Sequence, residues 1–164
     1  MREAYFAGGC FWCIGYCFER LEGVTEVESG FSGGKEVNPT YEDVKAQLTG
    51  HRETIKITYD ENKTTYEELL NIFFQNVDLY DNEGQFIDKG HSYTLAIYYE
   101  REEEKETALR LLKLEEEKSH QEPCVSLEKF DKFYTAEEYH QHFALKNPEE
   151  FENELIASGR KDNK

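Results

Sequence analysis

Ala4-Tyr5-Phe6-Ala7 is a short apolar run that stops at Gly8-Gly9, and a helical stripe begins at once beyond it. From Cys10 to Leu21 the residues Phe11, Ile14, Phe18 and Leu21 recur at helical spacing, with Gly23 as the stop. A strand turned into a helix by two glycines leaves few architectures open, because the stripe must pack back onto the sheet that holds the strand. The alternation continues down the chain. Val24 to Phe31 is extended and ends at Gly33-Gly34. Arg52 to Asp60 alternates, with Glu53, Ile55, Ile57 and Tyr59 pointing one way and Thr54, Lys56 and Thr58 the other. Thr65-Tyr66-Glu67-Glu68 is a capping box that opens a helix through Val77. An Asp- and Gly-rich loop from Asp78 to Gly90 leads to a strand at Tyr93 to Tyr99. Glu102 to Ser119 is a charged helix with Ala108, Leu109 and Leu112 facing inward, and Thr135-Ala136-Glu137-Glu138 opens another helix before Asn147-Pro148. The fold class expected is α+β, a two-layer sandwich with a ferredoxin-like βαβ core and extra helices. The 164 residues suit one domain. Residues 1–160 are read as a single catalytic domain and 161–164 as a disordered tail.

Charge removes several function classes. Nineteen Lys and Arg stand against 35 Asp and Glu, a formal charge of −16, which repels phosphate backbones and anionic lipid. Neither nucleic acid nor membrane is therefore an expected partner. No window of about 18 apolar residues could span a bilayer, and the first residues lack the pattern of a signal peptide. The expectation is a cytoplasmic protein and a monomer. Four cysteines in that compartment are more readily thiols or metal ligands than structural disulfides. No Gly-rich phosphate loop of familiar spacing occurs, so no cofactor is expected.

Cys10, Cys13 and Cys17 form C-x-x-C-x-x-x-C, with Cys124 far away. At roughly 100° per helical residue the three lie within about 60° of one another. Three readings compete. A metal site needs four soft ligands, usually in two paired hooks, and the fourth here would be Cys124 or a histidine without one. Cys13 and Cys17 could instead be small core residues. The third reading makes Cys10 a nucleophile, set at a helix mouth where unpaired N–H groups and the macrodipole favour thiolate and lower its pKa from about 8.5.

Glu53 shares a strand face with two isoleucines. If that face packs inward, burial disfavours the carboxylate, and the acid holds a proton it can donate. If Glu53 lies at the strand mouth, it simply meets solvent. A nucleophilic thiol with a protonated acid would suit attack on an electrophile with proton delivery to a leaving oxygen. A thiol oxidoreductase or peroxidase using Cys10 and Cys13 is the alternative enzyme.

Gly9-Cys10-Phe11-Trp12 with Cys13 resembles the G-C-F-W signature of the A-class peptide methionine sulfoxide reductases. Ser29-Gly30-Phe31-Ser32-Gly33-Gly34 with Asn38-Pro39-Thr40-Tyr41 is similar to the family's S-G-Y-x-G-G…N-P-x-Y segment, and Thr49-Gly50-His51-Arg52-Glu53 to its T-G-H-x-E. Gly84-Gln85-Phe86-Ile87-Asp88-Lys89-Gly90 with Tyr93, then Tyr139-His140-Gln141 and Ser158-Gly159-Arg160, resemble later family markers in order. The resemblance implies reduction of the S epimer of methionine sulfoxide, free or in oxidised proteins, through a cysteine sulfenic acid recycled by thioredoxin or another thiol. By the same resemblance Cys10 attacks the sulfoxide sulfur and Glu53 protonates its oxygen. Tyr41 and Tyr93 hydrogen-bond that oxygen. Phe11 and Trp12 clasp the S-methyl group, a contact worth on the order of 1 kcal/mol. Asp88 sits near the substrate's polar end, and His140 binds beside it or orients a neighbour.

The sulfenic acid would condense with a nearby thiol. Many family members carry that thiol on a C-terminal tail, but this chain has no cysteine after Cys124. Cys13 is the nearest candidate, since C-x-x-C at a helix start is a workable disulfide spacing. Cys17 is two turns from Cys10 and could not close without unwinding. Cys124 serves only if its strand passes the site, and direct attack by an external thiol is a further route.

Overall fold

A computed structural model of the chain describes residues 1–158. The tail expected at 161–164, and the last two residues of the Ser158-Gly159-Arg160 marker, lie outside the described residues. The architecture is mixed α/β around one six-stranded sheet. The elements in order are β1 (Arg2–Gly8), α1 (Phe11–Glu19), β2 (Val24–Ser32), α2 (Tyr41–Lys45), β3 (Arg52–Tyr59) and α3 (Tyr66–Gln75). A small hairpin follows, β4 (Gly84–Gln85) with β5 (Asp88–Lys89), then β6 (Leu95–Tyr99), α4 (Glu102–Ser119), β7 (Val125–Lys129), β8 (Phe133–Thr135), α5 (Phe143–Lys146) and α6 (Pro148–Ser158).

The sheet order is β7-β6-β1-β3-β2-β8, and every neighbouring pair is antiparallel except β6 with β7. One face carries Ala4, Phe6, Val27, Phe31, Ile55, Ile57, Leu95 and Ile97 into a core closed by α1, α3 and α4. Each fully buried Phe or Ile there contributes about 1.5–3 kcal/mol. The other face, Tyr5, Ala7, Ala96 and Tyr98, is covered by Phe130 and Phe133, with Tyr5 stacked on Phe130 at 3.9 Å.

Two registers position the site. The pair Phe6↔Ile55 brings Gly8, two residues on, level with Glu53, and Phe31 pairs directly with Glu53. The turn after β1 needs both glycines. Gly9 has φ 85, left-handed backbone that a side chain strains. A Cβ on Gly8 would stand 2.8 Å from Phe73 Cε1.

Several sequence expectations are corrected. Leu109 of α4 is 51% exposed, whereas Glu104, Ala108 and Leu111 are buried. Ala108 and Leu112 face the core as expected, Glu104 and Leu111 join them in place of Leu109, and the Glu104 carboxylate accepts from the Glu100 and Arg101 N–H groups. Thr135 opens no helix. It ends β8 opposite Gly30, and the Ala136 N–H donates to Ser29 O, holding the chain extended. At Thr65 the cap forms, its hydroxyl accepting from Glu68 N–H, but the Glu68 carboxylate accepts from the Thr64 hydroxyl. Strands β7 and β8 and helix α2 were not expected. Among the described residues no helix is long and apolar enough to cross a membrane.

Candidate active site

Cys10 is the N-cap of α1, with φ −58 and ψ 119, so it stands at the helix mouth as its spacing predicts. Its carbonyl accepts from the Cys13 and Ile14 N–H groups, which launches the helix. The expected drop in its pKa is not found. Contact with the Cys13 thiol, then burial, push the Cys10 thiol well above the usual cysteine range. These outweigh the Cys13 backbone N–H, which favours the thiolate. Asp88 adds to the rise. The resting group is a thiol.

Glu53 is 1% exposed. Its Oε1 accepts the Phe11 N–H at 3.1 Å, and its Oε2 is buried with no hydrogen-bond partner among the described residues. Burial, then repulsion from a Cys10 thiolate, raise its pKa well above the carboxylate range, while the Phe11 N–H opposes them. The direction of the shift favours the protonated acid. The packed reading of the Glu53 face therefore prevails over the solvent one.

A cavity of about 160 Å³ gathers Cys10, Trp12, Cys13, Tyr41, Glu53, Asp88 and Tyr93, together with Lys45, Ile87 and Glu154. Burial raises the Tyr41 and Tyr93 hydroxyls far above their usual range, with the Glu53 charge the next cause for both, so both are donors. Phe11 is fully buried and makes no part of the wall. Its ring packs near Tyr41, Phe31, His140 and Trp12 at 5.2–6.4 Å between centroids. His140 also lies behind the wall, 0% exposed. Its Nδ1 accepts from Trp12 Nε1–H at 3.2 Å, and its Nε2 is buried without a partner among the described residues. Burial lowers its pKa, which keeps the ring a neutral acceptor. Gln141 ties this segment to β2 by accepting from Ser29 N–H and donating to Ser29 O and Ala136 O.

The cysteines separate. Cys13 is 3% exposed and buried with Phe143, Ala144 and Phe151, in a cluster that Cys10 and Trp12 join. Cys17 packs against the main core instead, its thiol donating to Cys13 O at 3.5 Å. Cys124 lines a different cavity with Arg52, His91 and Thr94. All four are in the reduced form, with no disulfide among the described residues. Of the other three, Cys13 alone shares the Cys10 cavity. Among the described residues no group of three or more His, Cys, Asp or Glu is placed to hold a metal ion.

Sequence reasoning missed Lys45, Ile87 and Glu154. Lys45 belongs to an unexpected helix, and Glu154 to a helix face whose charges read as solvated. No local pattern marked either residue.

Comparison with known proteins agrees with this geometry. The family model for peptide methionine sulfoxide reductase matches residues 2–164. A peptide methionine sulfoxide reductase MsrA of Bacillus velezensis is 45% identical over 159 residues, 96% of this chain and 90% of its own. Among solved structures, reduced Mxr1 of Saccharomyces cerevisiae superposes with a TM-score of 0.83 at 26% identity, covering 90% of this chain and 86% of its own. Methionine sulfoxide reductase A of Corynebacterium diphtheriae does so at 0.79 and 26%, covering 89% and 74%.

Proposed function

The chain belongs to the peptide methionine sulfoxide reductase family, and from that premise we propose how its own residues divide the work. The enzyme reduces methionine sulfoxide to methionine. The observation that carries the assignment of roles is the buried Glu53 carboxyl, one oxygen unpartnered among the described residues, lining the same cavity as the Cys10 thiol.

The substrate sulfur enters beside Cys10, its methyl group against Trp12, with Phe11 supporting that wall from behind. Tyr41 and Tyr93 donate to the sulfoxide oxygen, and Glu53 transfers its proton there as charge develops. Cys10 forms a bond to sulfur while losing its own proton, and the S–O oxygen passes to Cys10. Methionine leaves, Cys10 becomes a sulfenic acid, and Glu53 regains a proton. The raised thiol pKa makes this coupling necessary, because a free thiolate is scarce before substrate arrives. Protonation of the sulfoxide oxygen by Glu53 makes the substrate sulfur more electrophilic as the Cys10 proton leaves, so no free thiolate has to build up beside a Glu53 carboxylate.

Cys13 then attacks the sulfenic acid, forming the Cys10–Cys13 disulfide and releasing water. Thioredoxin or another dithiol returns both thiols and is itself oxidised. Cys17 and Cys124 are the poorer resolvers, one facing the main core and the other a separate cavity. Asp88 meets the polar part of the substrate, and His140 positions Trp12. The S epimer is the stereoisomer assigned.

The deciding experiment is one turnover with S-sulfoxide followed by mass mapping of disulfides. A Cys10–Cys13 link is expected. A link to Cys17 or Cys124, or none, removes the recycling assignment, and a Cys10→Ser variant with near-normal methionine formation removes the nucleophile.

The finer structural reading belongs to the same proposal. The order β6-β1-β3-β2, antiparallel throughout with α1 and α3 in the crossovers, supports a ferredoxin-like core. A single catalytic domain over residues 1–160 is supported by one large hydrophobic cluster drawing on both sheet and helices. The charge of −16 supports a cytoplasmic monomer without nucleic-acid or membrane partners.

A further inference from the structure

The mouth of the Cys10 cavity is more exposed than its floor. Lys45 of α2, Ile87 at the tip of the β4–β5 hairpin and Glu154 of α6 are exposed, and Asp88 beside them is half-buried. The floor settles where the sulfoxide goes. Glu53 Oε2, buried and unpartnered, needs an oxygen to receive its proton. A methionine sulfoxide seated there must send its peptide chain out across the mouth, where neighbouring side chains meet these four residues.

The charges at the mouth are uneven. Lys45 is its one cation among the described residues and sits over the Tyr41 ring, 5.7 Å from the centroid. Glu154 and Asp88 are carboxylates, and Glu154 has no ion-pair partner among the described residues. Ile87, 63% exposed, offers an apolar shelf on which the stem of a long cationic side chain can lie. Glu154 stands 144 residues from Cys10 and belongs to none of the sequence blocks that carry the family resemblance.

We propose that Glu154 is a specificity-determining residue that favours methionine sulfoxide flanked by Lys or Arg. This rests on the reading of the cavity given above. Free methionine sulfoxide presents its own ammonium and carboxylate and so gains little from Glu154. A peptide with an acidic neighbour meets two like charges.

The test uses blocked peptides that differ only in the residue after methionine S-sulfoxide, namely Lys, Gln or Glu. At low salt the wild type is expected to rank them Lys, Gln, Glu in kcat/KM, each step about two- to fivefold, as an exposed charge pair allows. Glu154→Gln should bring the Lys/Gln ratio toward one, and Glu154→Lys should invert it. Glu106→Gln on exposed α4 removes the same net charge far from the cavity and should keep the wild-type ratio. Raising the ionic strength should narrow the wild-type ratio as Glu154→Gln does. An unchanged ratio in Glu154→Gln overturns the proposal, as does an equal narrowing in Glu106→Gln, which would assign the preference to the overall field. Wild type that reduces none of the peptides overturns the parent reading, and this one with it.

Discussion

The Phe11 N–H donates to Glu53 Oε1 at 3.1 Å, which docks the buried acid of β3 onto the first residue of the helix that Cys10 caps. This bond satisfies one carboxyl oxygen and one of the orphan N–H groups of a helix start. It leaves Oε2 buried without a hydrogen-bond partner among the described residues, in a side chain that lines the shared cavity. The proposed proton donor and the proposed nucleophile are thus neighbours in space, one on a strand and one at a helix start.

Glu53→Gln is expected to slow the reduction step by roughly 10²–10⁴, because the amide keeps the Phe11 bond but has no proton to give. Single-turnover methionine formation checks this. In the wild type the acid form is the active one, so the rate falls as pH rises through the raised Glu53 pKa, and that alkaline fall should vanish in the variant. An unchanged rate removes the acid role.

The same substitution should stabilise the protein. The folded pKa of Glu53 lies above its unfolded value, so the native state holds the extra proton. Stability therefore falls as pH rises from about 4.3 toward the folded pKa, by about 1.4 kcal/mol per pH unit for this one group. The stability gap between Glu53→Gln and wild type should widen over that window. Denaturant midpoints at several pH values read it, and a gap independent of pH contradicts a raised pKa.

Cys13→Ser should still form one equivalent of methionine and then stop turning over with thioredoxin, Cys10 being left as a sulfenic acid. Loss of the buried thiol costs little packing, since serine has nearly the same volume, but its hydroxyl sits among Phe143, Ala144 and Phe151. Methionine yield per enzyme, with and without thioredoxin, makes the measurement. Sustained thioredoxin-driven turnover assigns the resolver elsewhere.

His140→Phe keeps a ring in the stack but removes the acceptor of the Trp12 Nε1–H. A partly buried donor left unpaired costs about 1–3 kcal/mol. Trp12 is the only tryptophan, so its emission reports this site alone. Burial depresses the folded pKa of His140. Its contribution is then complete above the unfolded value near 6.5 and is lost as pH falls through the lower folded value. Wild-type emission should hold steady down to about pH 6.5 and change only in more acidic solution, and His140→Phe should lack that step. A wild-type transition at or above pH 6.5 contradicts the bond.

The strongest local signals survived folding. The Gly8-Gly9 stop places Cys10 at a helix mouth because only backbone free of Cβ makes that turn, and Glu53 lies inward because Ile55 and Ile57 share its face. On α4 Ala108 and Leu112 face inward as their spacing predicts, but Leu109 looks like core and is exposed, while Glu104 is buried with its carboxylate accepting from N–H groups at its own helix start. The C-terminal segment was hardly legible at all. Its short helices have too few turns to show a period, and their packing on Cys13 is non-local.

The thiol form of Cys10 illustrates the same divide. A helix mouth lowers a thiol pKa wherever it stands alone, and that much follows from spacing. Of the opposing effects, the Cys13 sulfur is a near neighbour on the same helix, and only the burial beside α5 and α6 arises when distant segments close over the site.

From residue order alone came the family and the local geometry that presents Cys10 and Glu53, since turns, strand faces and helix starts depend on near neighbours in the chain. Which groups stand together was decided by tertiary structure. The antiparallel register that sets Gly8 level with Glu53, and the return of His140 and Glu154 to a helix laid down more than a hundred residues earlier, depend on packing free energy summed over the whole sheet and its helices.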